Sequence, residues 1–429
     1  MRIDNMFNED LQALVNDTFS CKLCESDELE VFLSLGPMPP ANEFLEREEV
    51  YSSEDFYPLD VYFCKSCNHV GVLPRISSEE LFDDYVYLTS NSETMLSHLE
   101  DLTDKVCEKI IEDQENSFVV DIGSNDGSLL EFFQDRGSDV LGIEPASNIA
   151  LKAEEKDVRT LNEYFDRETA RKVVDEEGYP DVVMATNVFA HVPDLDEFVE
   201  GVKVLLEGGG KFVFENAYLP DLVKNKEFDT IYHEHHYYHS LTPLKPFFES
   251  FGLKITDAER ISIHGGSIRV TVSAEDEEPS DRVQELLSFE RKQGFDSIEK
   301  YREFARDVKE IKRDLNELIQ ELNSQGEKVV GYGAAAKGNT LLNFCDIGND
   351  EISYISDNIP IKQGKYTPGT RIPVKSPEEF REDRPDYALL LAWNYAEEII
   401  RKEEEFLRNG GKFIVPIPEV RVIEEEYLG

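Results

Sequence analysis

The chain is poor in positive charge. Its 429 residues carry 44 Lys and Arg against 90 Asp and Glu, a formal charge of −46 at pH 7. That balance excludes a surface built to grip nucleic-acid phosphates or an anionic membrane. The acids are spread over amphipathic segments rather than gathered into one tail, which excludes a disordered acidic segment. Such a surface is expected of a halophilic protein, because concentrated salt screens the self-repulsion. Long apolar runs are lacking too. None approaches the roughly 20 residues that cross a bilayer, and the first twenty lack a basic, then apolar, export pattern, so a cytoplasmic location is expected. Cysteine is scarce, six in all, and four of the six fall into two CxxC pairs. This usage suits a metal in a reducing compartment and not a disulfide framework. The length allows roughly three domains of about 150 residues, each with its own core.

Histidine, by contrast, is concentrated. Four of the eight lie in IYHEHHYYHSL, Ile231 to Leu241, with Glu234, Tyr232, Tyr237 and Tyr238 among them. An imidazole with its ordinary pKa near 6.5 takes up and releases protons around neutrality. Three readings compete: a solvated cluster on a turn, a metal site using His235 and His239 on one helical face, and a general-base cluster, which is favoured.

Cys21 and Cys24, then Cys64 and Cys67 after 39 intervening residues, supply four thiolates for a tetrahedral zinc. A set closed by four protein ligands is structural. The second pair lies between the strand-like LDVYF and HVGVL, which predicts a knuckle at a hairpin tip. From Ser92, apolar residues recur at three and four, from Met95 to Ile110, predicting an amphipathic helix.

The next stretch, SFVVDIGSNDGSLLEFF, reads as buried strand, glycine turn and helix start. Gly123 lets the turn close against a ligand, and Gly127 lets the helix approach the strand. A second strand ends in Glu144 and Pro145, where a carboxylate can accept ribose hydroxyls, and a third leads to Asn187 and His191. The pattern resembles that of class I S-adenosylmethionine-dependent methyltransferases. The resemblance implies cofactor contacts from Asp121, Gly123, Ser124, Asn125, Gly127, Glu144, Pro145, Asn187 and His191. Further on, His264 precedes two glycines that either turn the chain or offer N–H groups to an anion, with Arg269 near.

Residues 281–326 predict one or two long charged helices. A strand, KVVGYG, then starts a new α/β unit in which Gly331, Gly333 and Ala336 approximate a dinucleotide fingerprint, with Asp357 where a ribose-binding acid stands. A nicotinamide-dependent sugar oxidoreductase or epimerase is therefore a rival reading. Lys337, Lys362 and Lys365 suit a diphosphate better. Trp393 and Asn394 follow a further strand, DYALLLA, at its carboxyl end.

In order along the chain, the paired CxxC motifs, PPANEF, YVYLTSNS, DIGSNDGSLL, NVFAHVPD, YHEHHYYHSL, HGGSIRV, GYGAAAKGNTLL, DNIPIKQGKYTPGT and LAWNY resemble the sugar C-methyltransferases that act on nucleotide-linked keto-deoxysugars. The resemblance implies a zinc-binding domain over 1–85, a methyltransferase domain over 86–280 and a second Rossmann-like, nucleotide-sugar-binding domain over 281–429. It further implies S-adenosylmethionine and structural zinc, His235 as general base, and Glu234, Tyr232 and one of Tyr85 or Tyr87 completing the site. Sugar binding falls to His264, Arg269, Tyr332, Lys337, Asn339, Asp357, Lys362, Trp393 and Asn394. A non-catalytic nucleotide-sugar binder is the third reading. The oligomeric state stays open, with a monomer favoured.

Overall fold

A computed structural model describes residues 19–74 and 89–428, arranged around three sheets. The first is antiparallel, formed by β1 (Leu29–Met38), β2 (Tyr57–Cys64) and β3 (Val70–Leu73). Its fourth strand comes from far along the chain. Residues Tyr237–Tyr238, inside the histidine stretch, pair antiparallel with Val70 and Gly71.

The second sheet holds β4 (Phe118–Ile122), β5 (Asp139–Ile143), β6 (Thr160–Leu161), β7 (Val182–Thr186), β8 (Lys211–Ala217), β10 (Lys254–Ile261) and β11 (Ser267–Ser273), with Tyr237–Tyr238 counted as β9. Its order is β10-β11-β8-β7-β4-β5-β6, parallel from β8 to β6 and antiparallel at β11. The central strands are buried along almost their whole length, as their unbroken apolar runs dictate when helices cover both faces. Among the covering helices, Glu93–Lys109 is capped by Ser92, which accepts from the Met95 N–H, and buries Met95, Leu99, Leu102 and Val106 at helical spacing.

The third sheet, with the order β14-β13-β12-β15-β16-β17, is built from β12 (Val329–Tyr332), β13 (Ile355–Ser356), β14 (Val374–Lys375), β15 (Tyr387–Leu390), β16 (Lys412–Val415) and β17 (Arg421–Ile423). All its pairings are parallel except the last. The charged stretch before it forms two helices. Asp281–Gln293 packs on β10 and on the helix Leu241–Ser250, whereas the 28-residue Ile298–Gln325 lies against β1, β12 and the helix Ala336–Cys345.

The first and third sheets share one core, in which Leu33, Val61 and Phe63 meet Phe304, Val308 and Leu315, and these meet Leu341, Ile355 and Leu389. Burying such side chains stabilises by about 1.5–3 kcal/mol each, so the two ends of the chain fold against each other. Among the described residues, no helix is long and apolar enough to cross a membrane.

Candidate functional site

In each α/β sheet the strand order reverses beside its first strand, between β4 and β7 in one and between β12 and β15 in the other. Ligands of open α/β sheets lie in the crevice beyond such a reversal, at the carboxyl strand ends. Here the two crevices open onto one cavity of about 510 Å³.

At its β4 end the walls are Asp121, Gly123, Ser124, Asn125, Glu144, Pro145 and Asn187. Gly123 takes φ +67° and leaves no room for a side chain, since a Cβ would come within 2.4 Å of Val188. Gly127, at φ +74°, is pressed instead against Val158, away from the cavity lining. Glu144 accepts from the N–H groups of Asn125 at 3.0 Å and Ala146 at 2.9 Å, which fixes its carboxylate. The Asn125 side-chain oxygen accepts from the N–H of Thr89 at 3.0 Å, so this asparagine also ties Thr89 to the glycine turn. Burial, and then the neighbouring Glu144, push Asp121 up to about 8, and burial raises Glu144 too. One oxygen of Asp121 is buried without a hydrogen-bond partner. Two crowded, buried carboxyls fit a ligand that brings positive charge.

The opposite wall is made by one segment, from which Glu227, Thr230, Tyr232 and His235 reach the cavity. The stretch is not helical, contrary to the premise of the metal reading. It forms a turn and then a strand, because the His236 N–H bonds the Ala190 carbonyl at 2.9 Å and Tyr237–Tyr238 join β3. His239 is fully buried and stacked on Phe189 at 5.0 Å, so it shares no ligand face with His235. His233 lies at 3.2 Å from the carbonyls of Tyr57 and Pro58.

His235 is therefore the histidine of the stretch that meets the cavity. Its Nδ1 lies 2.8 Å from the Thr230 carbonyl, which can only accept, so Nδ1 carries the proton and Nε2 the lone pair. Nε2 in turn accepts from the Tyr232 hydroxyl at 2.9 Å. The ring of His191 meets that of His235 edge-on at 4.7 Å, and burial holds His191 well below its ordinary pKa, hence neutral.

From the third sheet come Ala335, Ala336 and Lys337 after β12, and Ala392, Asn394 and Tyr395 after β15. Trp393 stands behind them, its indole N–H donating to Asp229 at 2.6 Å and its ring 4.2 Å from the Lys337 ammonium.

Other sequence-predicted residues lie off the cavity lining. Glu234 is buried against the PPANEF loop, accepting from the Asn42 amide at 2.7 Å, and burial pushes it up to about 7. Lys362 donates to the Ala334 carbonyl at 2.8 Å, and the two oxygens of Asp357 accept from the N–H groups of Ala334 and Ile359. That carboxylate is occupied where a ribose would need it. Tyr332 is packed among Phe380 and Phe413 and gives its hydroxyl to Glu403 at 2.9 Å. Asn339 holds the Ala41 carbonyl at 2.7 Å, and Arg269 forms a buried pair with Glu215 at 2.6 Å on the face covered by His98. The backbone of His264 lies in the single turn Ile263–Gly265. Tyr85 and Tyr87 fall outside the described residues. Glu227, Thr230 and Tyr395 were not singled out in sequence; the only signal is that Glu227 and Thr230 precede Tyr232 on the same segment.

The four paired cysteines converge. Cys21 and Cys67 are 3.6 Å apart, as are Cys24 and Cys64, and all four sulfurs lie within 4.8 Å of one another. Thiolates bound about 2.3 Å from a tetrahedral zinc stand about 3.8 Å apart, so the set fits that ion. A hydrogen bond with Cys64, and then burial, push Cys21 up to about 12; a bound dication would instead favour the thiolate.

The strand order, the reversed strand β11 and the acid-lined cavity mouth at β4 define a class I methyltransferase domain. Residues 21–82 match a zinc-binding domain family, 94–258 a methyltransferase domain family, and 262–418 the C-methyltransferase C-terminal domain family. The C-methyltransferase NovU of Streptomyces niveus is 41% identical over 97% of this chain and 99% of its own. The chain belongs to this C-methyltransferase family. The ubiquinone biosynthesis O-methyltransferase of Acinetobacter baylyi is 31% identical over 22% of this chain and 42% of its own length. Magnesium protoporphyrin IX methyltransferase from Synechocystis PCC 6803, solved with S-adenosylhomocysteine, aligns over 41% of this chain and 82% of its own at 16% identity, with a TM-score of 0.33.

Proposed function

We propose that the protein methylates a carbon beside the keto group of a nucleotide-linked deoxysugar, through an enolate, with S-adenosylmethionine as donor. The observation that carries this reading is His235: an imidazole whose tautomer is set by the Thr230 carbonyl, whose Nε2 bonds the Tyr232 hydroxyl, and which lines a cavity shared by two nucleotide-type crevices. Asp121, Glu144, Asn125 and Asn187 would hold the donor, whose sulfonium and ammonium charges suit the buried carboxyls. When bound, that donor supplies an electrophilic methyl group. Lys337 and Asn394 face the sugar. Nε2 of His235 takes the acidic hydrogen once the Tyr232 hydroxyl has turned off its lone pair, and neutral His191 keeps a second positive charge away from it. Cys21, Cys24, Cys64 and Cys67 would hold zinc as a cross-link of the fold, with no chemistry of its own. Both substrates are soluble, in keeping with a cytoplasmic enzyme.

The test begins with calorimetric titration of S-adenosylhomocysteine and of NAD into the purified protein. Binding of the first and not of the second is expected, followed by transfer of the methyl group to carbon in a nucleotide keto-deoxysugar. Binding of NAD alone would sink the proposal.

A further inference from the structure

Within the proposed reaction, which this step rests on, the enolate oxygen needs a donor, and a cation stabilises a developing negative charge more strongly than a neutral phenol such as Tyr232. Among the described residues Lys337 is the one Lys or Arg side chain that lines the cavity. It stands in the first turn of the helix Ala336–Cys345, at the carboxyl end of β12 and on the same cavity as His235. Its amine shows neither a hydrogen-bond acceptor nor an ion pair among the described residues; its near contact is the Trp393 ring, 4.2 Å from the centroid. The faces of aromatic rings attract cations without using their N–H donors. Burial works against the ammonium charge, while Asp229 and then Glu227 support it from farther away.

We infer that Lys337 is the catalytic electrophile of the reaction: its ammonium donates a hydrogen bond to the keto oxygen of the sugar and stabilises the charge that gathers there. In balance, the C–H bond breaks and its proton goes to Nε2 of His235. The C–H pair forms the carbon–carbon double bond, and the carbonyl π pair moves onto oxygen, where Lys337 meets it. That pair later returns to the carbonyl as the carbon–carbon double-bond pair forms the new bond to the methyl group. The methyl's bond to the sulfonium sulfur breaks and its pair stays on sulfur, leaving a neutral thioether, and the imidazolium releases its proton to water.

The competing role, anchoring the diphosphate, fits the surroundings less well. Glu227 lines the cavity, and Asp229 lies just behind through its bond to Trp393, so two acids surround one base. The glycines of HGGS add to this. A Cβ on Gly265 would fall 2.3 Å from Glu227, and one on Gly266 2.4 Å from Asp221. The pair thus gives space to the protein's own carboxylates where an external anion was one sequence reading. A multiply charged diphosphate is repelled there, whereas a single delocalised charge held directly by an ammonium is tolerated.

The experiment compares wild type with Lys337→Met on three readouts: exchange of the sugar's α-hydrogen in deuterated water, kcat for methyl transfer, and affinity for the free nucleoside diphosphate. Unchanged affinity for S-adenosylhomocysteine certifies a folded variant. The expected result is a loss of about 10²–10³-fold in exchange and kcat, as for removal of an oxyanion donor, with diphosphate affinity nearly unchanged. A variant with wild-type exchange at saturating sugar but weakened diphosphate binding overturns the inference and leaves the proposed function standing. Wild-type protein that exchanges no α-hydrogen overturns both. Glu227→Gln gives an independent check. It removes a charge that supports the ammonium, so the alkaline limb of the exchange profile should move to lower pH; an unmoved limb counts against Lys337.

Discussion

His235 is distinguished from its three neighbouring histidines by partners, not by sequence. A carbonyl on one ring nitrogen and a phenol on the other leave it one tautomer, and both partners, Thr230 and Tyr232, line the cavity with it. His235→Asn should therefore keep S-adenosylhomocysteine affinity while methyl transfer and α-hydrogen exchange fall by about 10²–10⁴-fold. Full activity in that variant would move the base elsewhere. The family resemblance pointed to His235, whereas residue spacing alone could not say which ring reaches the cavity, because burial and backbone contacts decide it. Glu227 was less legible still, in an ordinary-looking KEFDT.

Buried acids give a second consequence at this scale. Asp121, Glu227, Glu234 and Asp229 are pushed up by burial to about 8, 7, 7 and 6. In the unfolded chain they titrate near 3.9 and 4.3, so the folded state binds more protons between those values and its own. Their contribution is fully present below about pH 4 and is lost as pH rises through 6 to 8. Ligand-free protein should melt at a lower temperature at pH 8 than at pH 6, with the difference reduced in Asp121→Asn. Because His69, His191, His233 and His239 are held below their ordinary pKa and add stability as pH rises through about 6.5, the decisive comparison is with the variant: an unchanged pH difference in Asp121→Asn would contradict the burial of that carboxyl.

Among the elements, strands with long apolar runs, the Ser92-capped helix and the cysteine knuckle between β2 and β3 follow directly from residue pattern. Elements completed from a distance do not. Helix Leu241–Ser250 takes its N-terminal bonds from Glu290, which accepts from the N–H groups of Leu241 and Thr242 at 2.7 and 2.8 Å. Strand Tyr237–Tyr238 exists because β3 is there to pair with it. A helical spacing of histidines gave the opposite impression, and tertiary pairing overrode it. Gly71 makes this pairing feasible, since a Cβ there would meet the Tyr62 ring at 2.9 Å and the His236 carbonyl at 3.0 Å. Gly71→Val should lower methyl transfer by displacing His235, while zinc content stays at one equivalent; undiminished kcat would show the strand contact to be dispensable.

Over the whole molecule, charge and metal set the conditions of stability. A net charge of −46 repels itself, and raising salt from about 0.1 M to about 1 M shortens the screening length from about 10 to about 3 Å. The melting temperature should climb across that series; a fall would mean that surface ion pairs outweigh the net repulsion. Cys21→Ser should release the metal and lower stability by at least about 2 kcal/mol, read by metal analysis and melting together. Normal metal content in that variant would contradict the four-cysteine assignment. The three-part division was visible in the order of motifs, but the common core of the first and third sheets was not, because no local pattern records which apolar faces meet.

The borrowed strand Tyr237–Tyr238 also bears on recombination between relatives. A crossover placed near residue 85 would pair one parent's β3 with the other parent's histidine segment, and the base would be seated on an unmatched edge. Functional hybrids should instead inherit residues 57–73 and 227–241 from the same parent, as a single heritable block despite the long stretch of chain between them.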